Sequence, residues 1–235
     1  MEPLEIIAYH GWGFDAGFWN PWKKIIPAEI TFKTASRGYF FDEKSPRFSN
    51  SDSTKILFLH SFGLHWYPLK HIETADCIVI FNGFPSFHPE EPSLQKKSKI
   101  ILEKMIAGFE KNPQKVLQQF WENTFFPSKN NFSKQDFDKS LLQKDLQLLH
   151  KSKFTSEHFK TGKSIICVDG GRDKILGNPR GKEFMVLTKR NAVYHFIKEA
   201  GHALPATHTA DCWSFINAMI AIFGANGNYR TQRHQ

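Results

Sequence analysis

The sequence predicts an α/β fold: a mostly parallel central sheet flanked by helices, with an inserted helical cap. Towards both ends of the chain, short apolar runs are separated by polar or helical segments, and each run is continuously apolar, which is typical of strands buried on both faces. From residue 84 to residue 160 the strand pattern is absent, and apolar residues recur at helical spacing. We therefore expect residues 1–83 and 161–235 to form the core and residues 84–160 to form the cap.

Six apolar runs are the predicted strands. They lie at Glu5–His10, Glu29–Ala35, Ile56–His60, Cys77–Asn82, Ser164–Val168 and Ala192–Ile197. Between the third and the fourth there is room for one crossover helix, at about residues 63–73, and a last helix is expected at about residues 210–223. Three helices are predicted for the cap, and the third begins at Ser133, because Asp136 three residues later resembles a capping box.

The composition fits one domain with an insertion. With 235 residues, 40% of them hydrophobic, the chain can bury one sizeable core. The N-terminal segment carries an acid and a proline where a signal peptide carries basic residues, and no run approaches the ~20 apolar residues of a membrane span. Three widely separated cysteines are typical of buried thiols in a reducing compartment. We expect a soluble, cytoplasmic protein that makes no contact with a membrane.

Charge and histidine content argue against two kinds of ligand. The net charge is +8, but the lysines are scattered among acids and form no compact basic block with interleaved aromatic residues, so no nucleic-acid partner is expected. A solvated basic surface or an acidic protein partner remains. The eleven histidines show no metal-ligand spacing, so no metal is expected.

Three polar residues follow predicted strands. Ser61 ends the third strand in "LHSFG", Asp173 lies in "DGGRDKILG" after the fifth, and His202 lies in "KEAGHALPATH" after the sixth. Because the carboxyl ends of parallel strands meet at one edge of the sheet, these loops can face one crevice. The order Ser, Asp, His is that of the α/β-hydrolases. Each residue alone also fits an ordinary turn, as does Asp169, and His208 is the less favoured base.

Acyl transfer explains why these residue types occur together. A serine hydroxyl becomes a nucleophile when an imidazole takes its proton, and a carboxylate orients that imidazole. The tetrahedral intermediate needs two N–H donors. The amide of Phe62, which follows the serine, is one, and the loop "HGWG" supplies the other from Trp12, since flanking glycines let the backbone approach a substrate oxygen. His10 is expected to hold that loop.

A family resemblance is carried by segments from most of the chain. They are "YHGWGFDAGFWNPW", the turn around Ser61, "NGFPSF", "MIAGFEKNPQKVLQQFW" in the cap, and "AGHALPATH". Together they resemble the α/β-hydrolases that act as pimeloyl-[acyl-carrier protein] methyl ester esterases in biotin biosynthesis. The sequence departs from that family at Leu59 and Leu64, where small residues usually let the turn pack tightly.

The resemblance implies a serine carboxylesterase that needs no cofactor. Ser61 would be the nucleophile, Asp173 the acid and His202 the base, and the amides of Trp12 and Phe62 would be the oxyanion donors. The substrate would be a pimeloyl methyl ester carried by an acidic acyl carrier protein. Cap aromatic residues would line an apolar slot for the chain: Phe109, Phe120, Trp121, Phe125 and Phe126. Cap lysines would meet the carrier: Lys111, Lys115, Lys139 and Lys144.

The sequence leaves other functions open. A general short-chain carboxylesterase and an acyl thioesterase use the same three residues and differ in how the pocket places the scissile bond. A non-catalytic binding module with a hydrolase fold would tolerate the leucines beside Ser61, but it would have no need of all three residues. For any single cap aromatic or lysine, packing of the cap or exposure to solvent is an equally good explanation.

Overall fold

In the part of the chain that the structure describes, the central sheet has six strands, all parallel. The computed structural model describes residues 3–130, 132–134, 136–159, 163–188 and 192–225. The strands are β1 (Leu4–Tyr9), β2 (Thr31–Thr34), β3 (Thr54–His60), β4 (Cys77–Phe81), β5 (Ser164–Gly170) and β6 (Ala192–Ile197). Their order across the sheet is β2-β1-β3-β4-β5-β6. The predicted parallel sheet is confirmed.

The central strands are buried on both faces, as their continuous apolar runs predict. Every residue of β3, β4 and β5 is buried. Alternate residues of β1 enter two separate apolar clusters: Ile6 and Ala8 point to the cluster that includes the cap, and Ile7 and Tyr9 point to the opposite one. Because both faces are covered, polar groups of these strands reach a ligand only at the strand ends.

Seven α-helices accompany the sheet within the described residues. They are α1 (Lys70–Thr74), α2 (Pro92–Lys111), α3 (Pro113–Phe125), α4 (Lys139–Leu148), α5 (Gly181–Leu187), α6 (Leu204–Thr207) and α7 (Thr209–Ala225). Four short 3-10 segments occur at Ala16–Trp19, Trp22–Lys24, Ser61–His65 and Ser156–Phe159. The last helix lies where it was predicted. None of these helices is both long and apolar enough to cross a membrane.

The predicted crossover helix at residues 63–73 is wrong in its first half. The chain forms a 3-10 turn over Ser61–His65, and the α-helical segment α1 begins only at Lys70. Pro68 explains the break, because a proline lacks the N–H of a helix interior and disfavours the α conformation in the residue before it.

Helices α2, α3 and α4 are inserted between β4 and β5, and α2 packs against the other two. The predicted start of the third cap helix at Ser133 is wrong, since α4 begins at Lys139. Its N-cap is Asp138, whose side chain accepts a hydrogen bond from the Leu141 amide at 2.9 Å. Upstream, Lys134 forms an ion pair of 2.9 Å with Asp15 of the core, so this segment ties the cap to the core instead of extending the helix.

Candidate active site

Ser61 stands at a sharp turn where β3 ends. Its φ of +52° lies in the left-handed region, which residues other than glycine rarely adopt. Gly63 makes room for the turn, because a Cβ there would lie 2.5 Å from the carbonyl oxygen of Tyr9 in β1. The buried turn therefore holds the Ser61 side chain at the carboxyl edge of the sheet, a geometry that positions nucleophiles in strand-to-helix turns.

The two leucines beside this turn are packed in the core. Leu59 and Leu64 are both buried in the apolar cluster on the sheet face opposite the cap, where Tyr67 and Ile72 also lie. The two large side chains thus share a buried cluster with residues of the chain that follows the turn. That part of the chain is a 3-10 segment followed by a break at Pro68. They do not displace Ser61 from its neighbours.

Ser61, His202 and Asp173 form a hydrogen-bonded row. The Nδ1–H of His202 donates to Asp173 Oδ2 at 2.6 Å, and the Ser61 hydroxyl donates to His202 Nε2 at 2.9 Å. The other oxygen of Asp173, Oδ1, accepts the amides of Ile175 and Leu176 at 2.7 and 2.9 Å. Because a carboxylate only accepts hydrogen bonds, the Asp173 contact assigns the proton to Nδ1 and leaves Nε2 able to take the serine proton.

The nearby side chains of Asp169 and His208 make other contacts. Asp169 Oδ2 accepts the amide of Gly181 at 2.6 Å, and burial raises the Asp169 pKa to about 6. His208 Nδ1 lies 2.9 Å from the hydroxyl of its neighbour Thr207. Neither side chain joins the row with Ser61, so the pairing expected from the loop order is the one that the structure contains.

The backbone of His202 is held by two buried side chains. Its carbonyl accepts the Nε2–H of His60 at 3.0 Å and the side-chain N–H of Asn82 at 2.8 Å. The same Asn82 amide group donates to Gly201 O at 3.0 Å, and Asn82 Oδ1 accepts the Gly170 amide at 2.8 Å. Burial lowers the pKa of His60 well below its usual value, so the ring is neutral and donates from one nitrogen.

The "HGWG" loop runs directly against Ser61. A Cβ on Gly11 would lie 3.0 Å from His60 Nδ1 and 3.1 Å from Ser61 Cβ, closer than most Cβ contacts, so glycine favours this approach. The Trp12 indole N–H donates to the carbonyl of Leu142 in α4 at 2.8 Å, which holds its side chain in the cap. Trp12 and Phe62, the predicted oxyanion donors, both line the cavity into which Ser61 opens.

His10 holds this loop from below. Its Nδ1–H donates to the carbonyl of Gly11 at 2.8 Å, and its Nε2 accepts the amide of Arg37 at 3.1 Å. Complete burial lowers the pKa of His10 to about 4, so the ring stays neutral. The prediction that His10 holds the loop agrees with these contacts.

An apolar cavity of about 340 Å³ lies between Ser61 and the cap. Helix α2 lines it with Ile101, Leu102, Lys104 and Met105, and helix α3 lines it with Val116, Gln119, Phe120 and Asn123. Phe84, Phe87, Leu146, Leu149, Lys174 and Ile175 complete the wall. A cavity of this size and lining suits the apolar part of a small molecule.

Of the five predicted chain-binding aromatics, Phe120 lines this cavity. Phe109 and Trp121 are fully buried; the Phe109 ring packs on Trp12, and the Trp121 indole donates to the Gly13 carbonyl at 2.7 Å. Phe125 packs on Phe14, and Phe126 lies beneath the cationic side chains of Arg172 and Lys174. These four hold the cap and its neighbours together.

The four predicted carrier-binding lysines are exposed on the cap. They are Lys111, Lys115, Lys139 and Lys144. Lys139 donates to the Glu110 carbonyl at 3.0 Å. None of the four lines the cavity beside Ser61.

Except for Phe120, the cavity residues from α2 and α3 were not predicted from the sequence, although a signal exists. Residues 116, 119, 120 and 123 follow the i, i+3, i+4, i+7 spacing of one helix face. Gln119 and Asn123 interrupt the apolar pattern on that face, and a polar residue within an apolar stripe indicates a wall that meets a ligand or water instead of packed core.

Within the described residues, no three His, Cys, Asp or Glu side chains group closely enough to hold a metal ion.

Comparison with known proteins identifies the fold. No protein-family model matches the chain, and no curated protein matches its sequence. A hydrolase from Oleispira antarctica superposes with a TM-score of 0.72 at 13% identity, over 93% of this chain and 91% of that one. MenH from S. aureus gives 0.70 at 12% identity over 94% of each chain. An esterase from Exiguobacterium antarcticum gives 0.67 at 12% identity, over 94% and 92%.

The chain has the α/β-hydrolase fold. The likeness extends over nearly the whole of each matched chain, and the parallel sheet with its turn at Ser61 agrees with it. A shared fold at this level of identity carries no substrate with it, so the function has to be argued from the site.

Proposed function

We propose that the protein is a serine carboxylesterase. The observation that carries the proposal is the hydrogen-bonded row of Ser61, His202 and Asp173 on the wall of an apolar cavity. Ser61 is the nucleophile, His202 the general base and acid, and Asp173 the group that orients the imidazole. The amides of Trp12 and Phe62 are the oxyanion donors.

The reaction proceeds through an acyl-enzyme. His202 Nε2 takes the Ser61 proton as Oγ attacks the ester carbonyl carbon, and the two amides stabilise the oxyanion. The alcohol leaves with the proton from His202. Water then attacks the acyl carbonyl while His202 again acts as base, and the carboxylic acid is released with Ser61 restored. Asp173 stabilises the imidazolium in both halves.

The finer assignment is a methyl ester of a pimeloyl chain borne by an acyl carrier protein, in biotin biosynthesis. The sequence resemblance supports it, and so do the apolar cavity beside Ser61 and the exposed cap lysines in a chain of net charge +8. A general short-chain carboxylesterase and an acyl thioesterase are the alternatives, because the row of three residues serves all three reactions.

One experiment separates these activities. Purified protein is incubated with the carrier-linked pimeloyl methyl ester, and the carrier is then analysed by mass spectrometry. We expect loss of one methyl group with the wild type and no change with Ser61→Ala, whose circular dichroism and melting should match those of the wild type. Turnover by folded Ser61→Ala at the wild-type rate would refute the mechanism.

The other outcomes identify the alternatives. Loss of the whole acyl chain from the carrier would indicate a thioesterase. An unchanged carrier together with Ser61-dependent hydrolysis of p-nitrophenyl esters would indicate a general carboxylesterase. Failure to hydrolyse any ester, combined with failure of a fluorophosphonate to label Ser61, would indicate a non-catalytic module.

A further inference from the structure

A second cavity, of about 480 Å³, adjoins the cavity beside Ser61. The two share the side chains of Phe87, Ile101, Lys174 and Ile175, so they lie side by side. The second cavity continues between the first turns of α2 and residues 176–180, away from Ser61. A linear substrate with its ester at Ser61 therefore has a defined place for its far end.

The second cavity carries an excess of positive charge. Lys97 and Lys174 line it, and among the described residues no carboxylate forms an ion pair with either. Its one acid, Glu183, is held by Arg180 through two hydrogen bonds of 2.6 and 2.7 Å, so that pair is neutral. The Lys174 ammonium packs over the Phe126 ring at 3.4 Å, which orients it without neutralising its charge.

Apart from Ser98, Asn178 and the charged residues, the wall of the second cavity is apolar, and part of it is exposed. Leu94 and Ile101 are 39% and 53% exposed, high values for large aliphatic side chains, and both line it together with Phe87. Exposed apolar side chains grouped in a concave site mark a ligand surface. Apolar walls with two lysines match an alkyl chain that ends in an anion.

We propose that the second cavity binds the non-scissile end of the ester substrate and that this end carries an anionic group, a carboxylate or a phosphate. The inference rests on the proposed esterase function and adds a charge preference to it. It assigns this preference to Lys97 and Lys174, neither of which is among the four cap lysines expected to meet a carrier protein.

The test compares methyl esters of equal chain length whose far ends carry a hydrogen, a carboxylate or a phosphate group. The ratio of kcat/KM for each anionic ester to that for the neutral ester is measured at several chain lengths. We expect the wild type to favour an anionic ester at one length, and Lys97→Gln to lower that ratio about fivefold, as for an exposed ion pair. Lys97→Glu should lower it further, and added salt should reduce it in the wild type.

Lys96→Gln is the matched control, because Lys96 is exposed on the same turn of α2 and lines neither cavity. It should keep the wild-type ratio. A preference for only one anion would identify the group that binds. The inference is overturned if the wild type hydrolyses all the esters equally, or if Lys97→Gln and Lys96→Gln have the same ratio. If the wild type hydrolyses none of these esters, the proposed esterase function is refuted instead.

Discussion

At the scale of one residue, protonation of the buried His10 side chain, which holds the loop beside Ser61, makes the stability of the protein depend on pH. The folded protein holds His10 neutral with a pKa of about 4, whereas the unfolded chain has the ordinary value of 6.5. Between these two values the unfolded state binds more protons, so stability falls as the pH falls from 6.5 to 4. The full effect of one such group is about 3 kcal/mol, because one pKa unit corresponds to about 1.4 kcal/mol.

We therefore predict that His10→Gln has a flatter dependence of unfolding free energy on pH than the wild type. Denaturant titrations at pH 4 to 7 would measure it. The variant should be less stable at pH 7, since its contacts with Gly11 and Arg37 are weakened, and the difference should shrink by up to about 3 kcal/mol towards pH 4. His208→Gln, at a half-buried histidine away from this loop, is the control. Parallel curves for the wild type and His10→Gln would contradict the assignment.

The sequence predicts which residues meet at the site better than it predicts what holds them. Ser61, Asp173 and His202 each follow a strand, so the parallel sheet alone brings their loops together. Asn82 also follows a strand, yet its four hydrogen bonds, two to β5 and two to the loop of His202, depend on distances in the folded chain. Contacts of that kind have no signature in local sequence.

At the level of elements, the turn after β3 depends on the absence of a side chain at Gly63. We predict that Gly63→Ala destabilises the protein by about 1–3 kcal/mol, the usual cost of overpacking, because its Cβ would meet the Tyr9 backbone at 2.5 Å. Ester hydrolysis should fall in parallel, since β1 and the turn must separate. Thermal or denaturant unfolding and p-nitrophenyl ester turnover are the measurements.

Gly108→Ala is the matched control within the cap. Gly108 lies inside α2, and an added Cβ would contact Val116 at an ordinary 3.4 Å. Alanine is favoured over glycine inside a helix by about 0.5–1 kcal/mol, so this variant should be as stable as the wild type or more stable. Equal destabilisation by the two variants would show that Gly63 has no special role.

The sequence predicts whether a segment is a strand or a helix where one hydrophobic pattern dominates. It does not predict the residues at which the helices begin. The buried strands are continuous apolar runs, and their positions follow directly. The starts of α1 and α4 depend on Pro68 and on the Asp138 cap, which compete with equally plausible signals such as Ser133. A local cap acts only if the chain around it is free, and the ion pair of Lys134 with Asp15 holds that segment in another conformation.

At the scale of the whole molecule, buried hydrogen bonds fasten the cap to the core. Asp145 of α4 is fully buried and accepts two hydrogen bonds from Arg37 at 2.8 and 3.0 Å and one from Tyr39 at 2.7 Å. The Trp121 indole adds its bond to Gly13. A cap held in this way presents its exposed lysines at fixed positions relative to Ser61, which a docking surface for a carrier protein requires.

Those lysines give the last prediction. If an acidic carrier docks on the cap, the double variant Lys111→Glu/Lys115→Glu should lower kcat/KM for the carrier-linked methyl ester about tenfold, mainly through slower association, and leave turnover of a small p-nitrophenyl ester intact. Raising the salt concentration to about 0.5 M should reduce wild-type turnover of the carrier-linked ester in the same selective way. The control variant Lys24→Glu/Lys70→Glu changes the net charge by the same amount at exposed positions outside the cap. If that control loses as much activity, net charge and not the cap surface recruits the carrier; if neither variant nor salt has an effect, the carrier does not dock through these lysines.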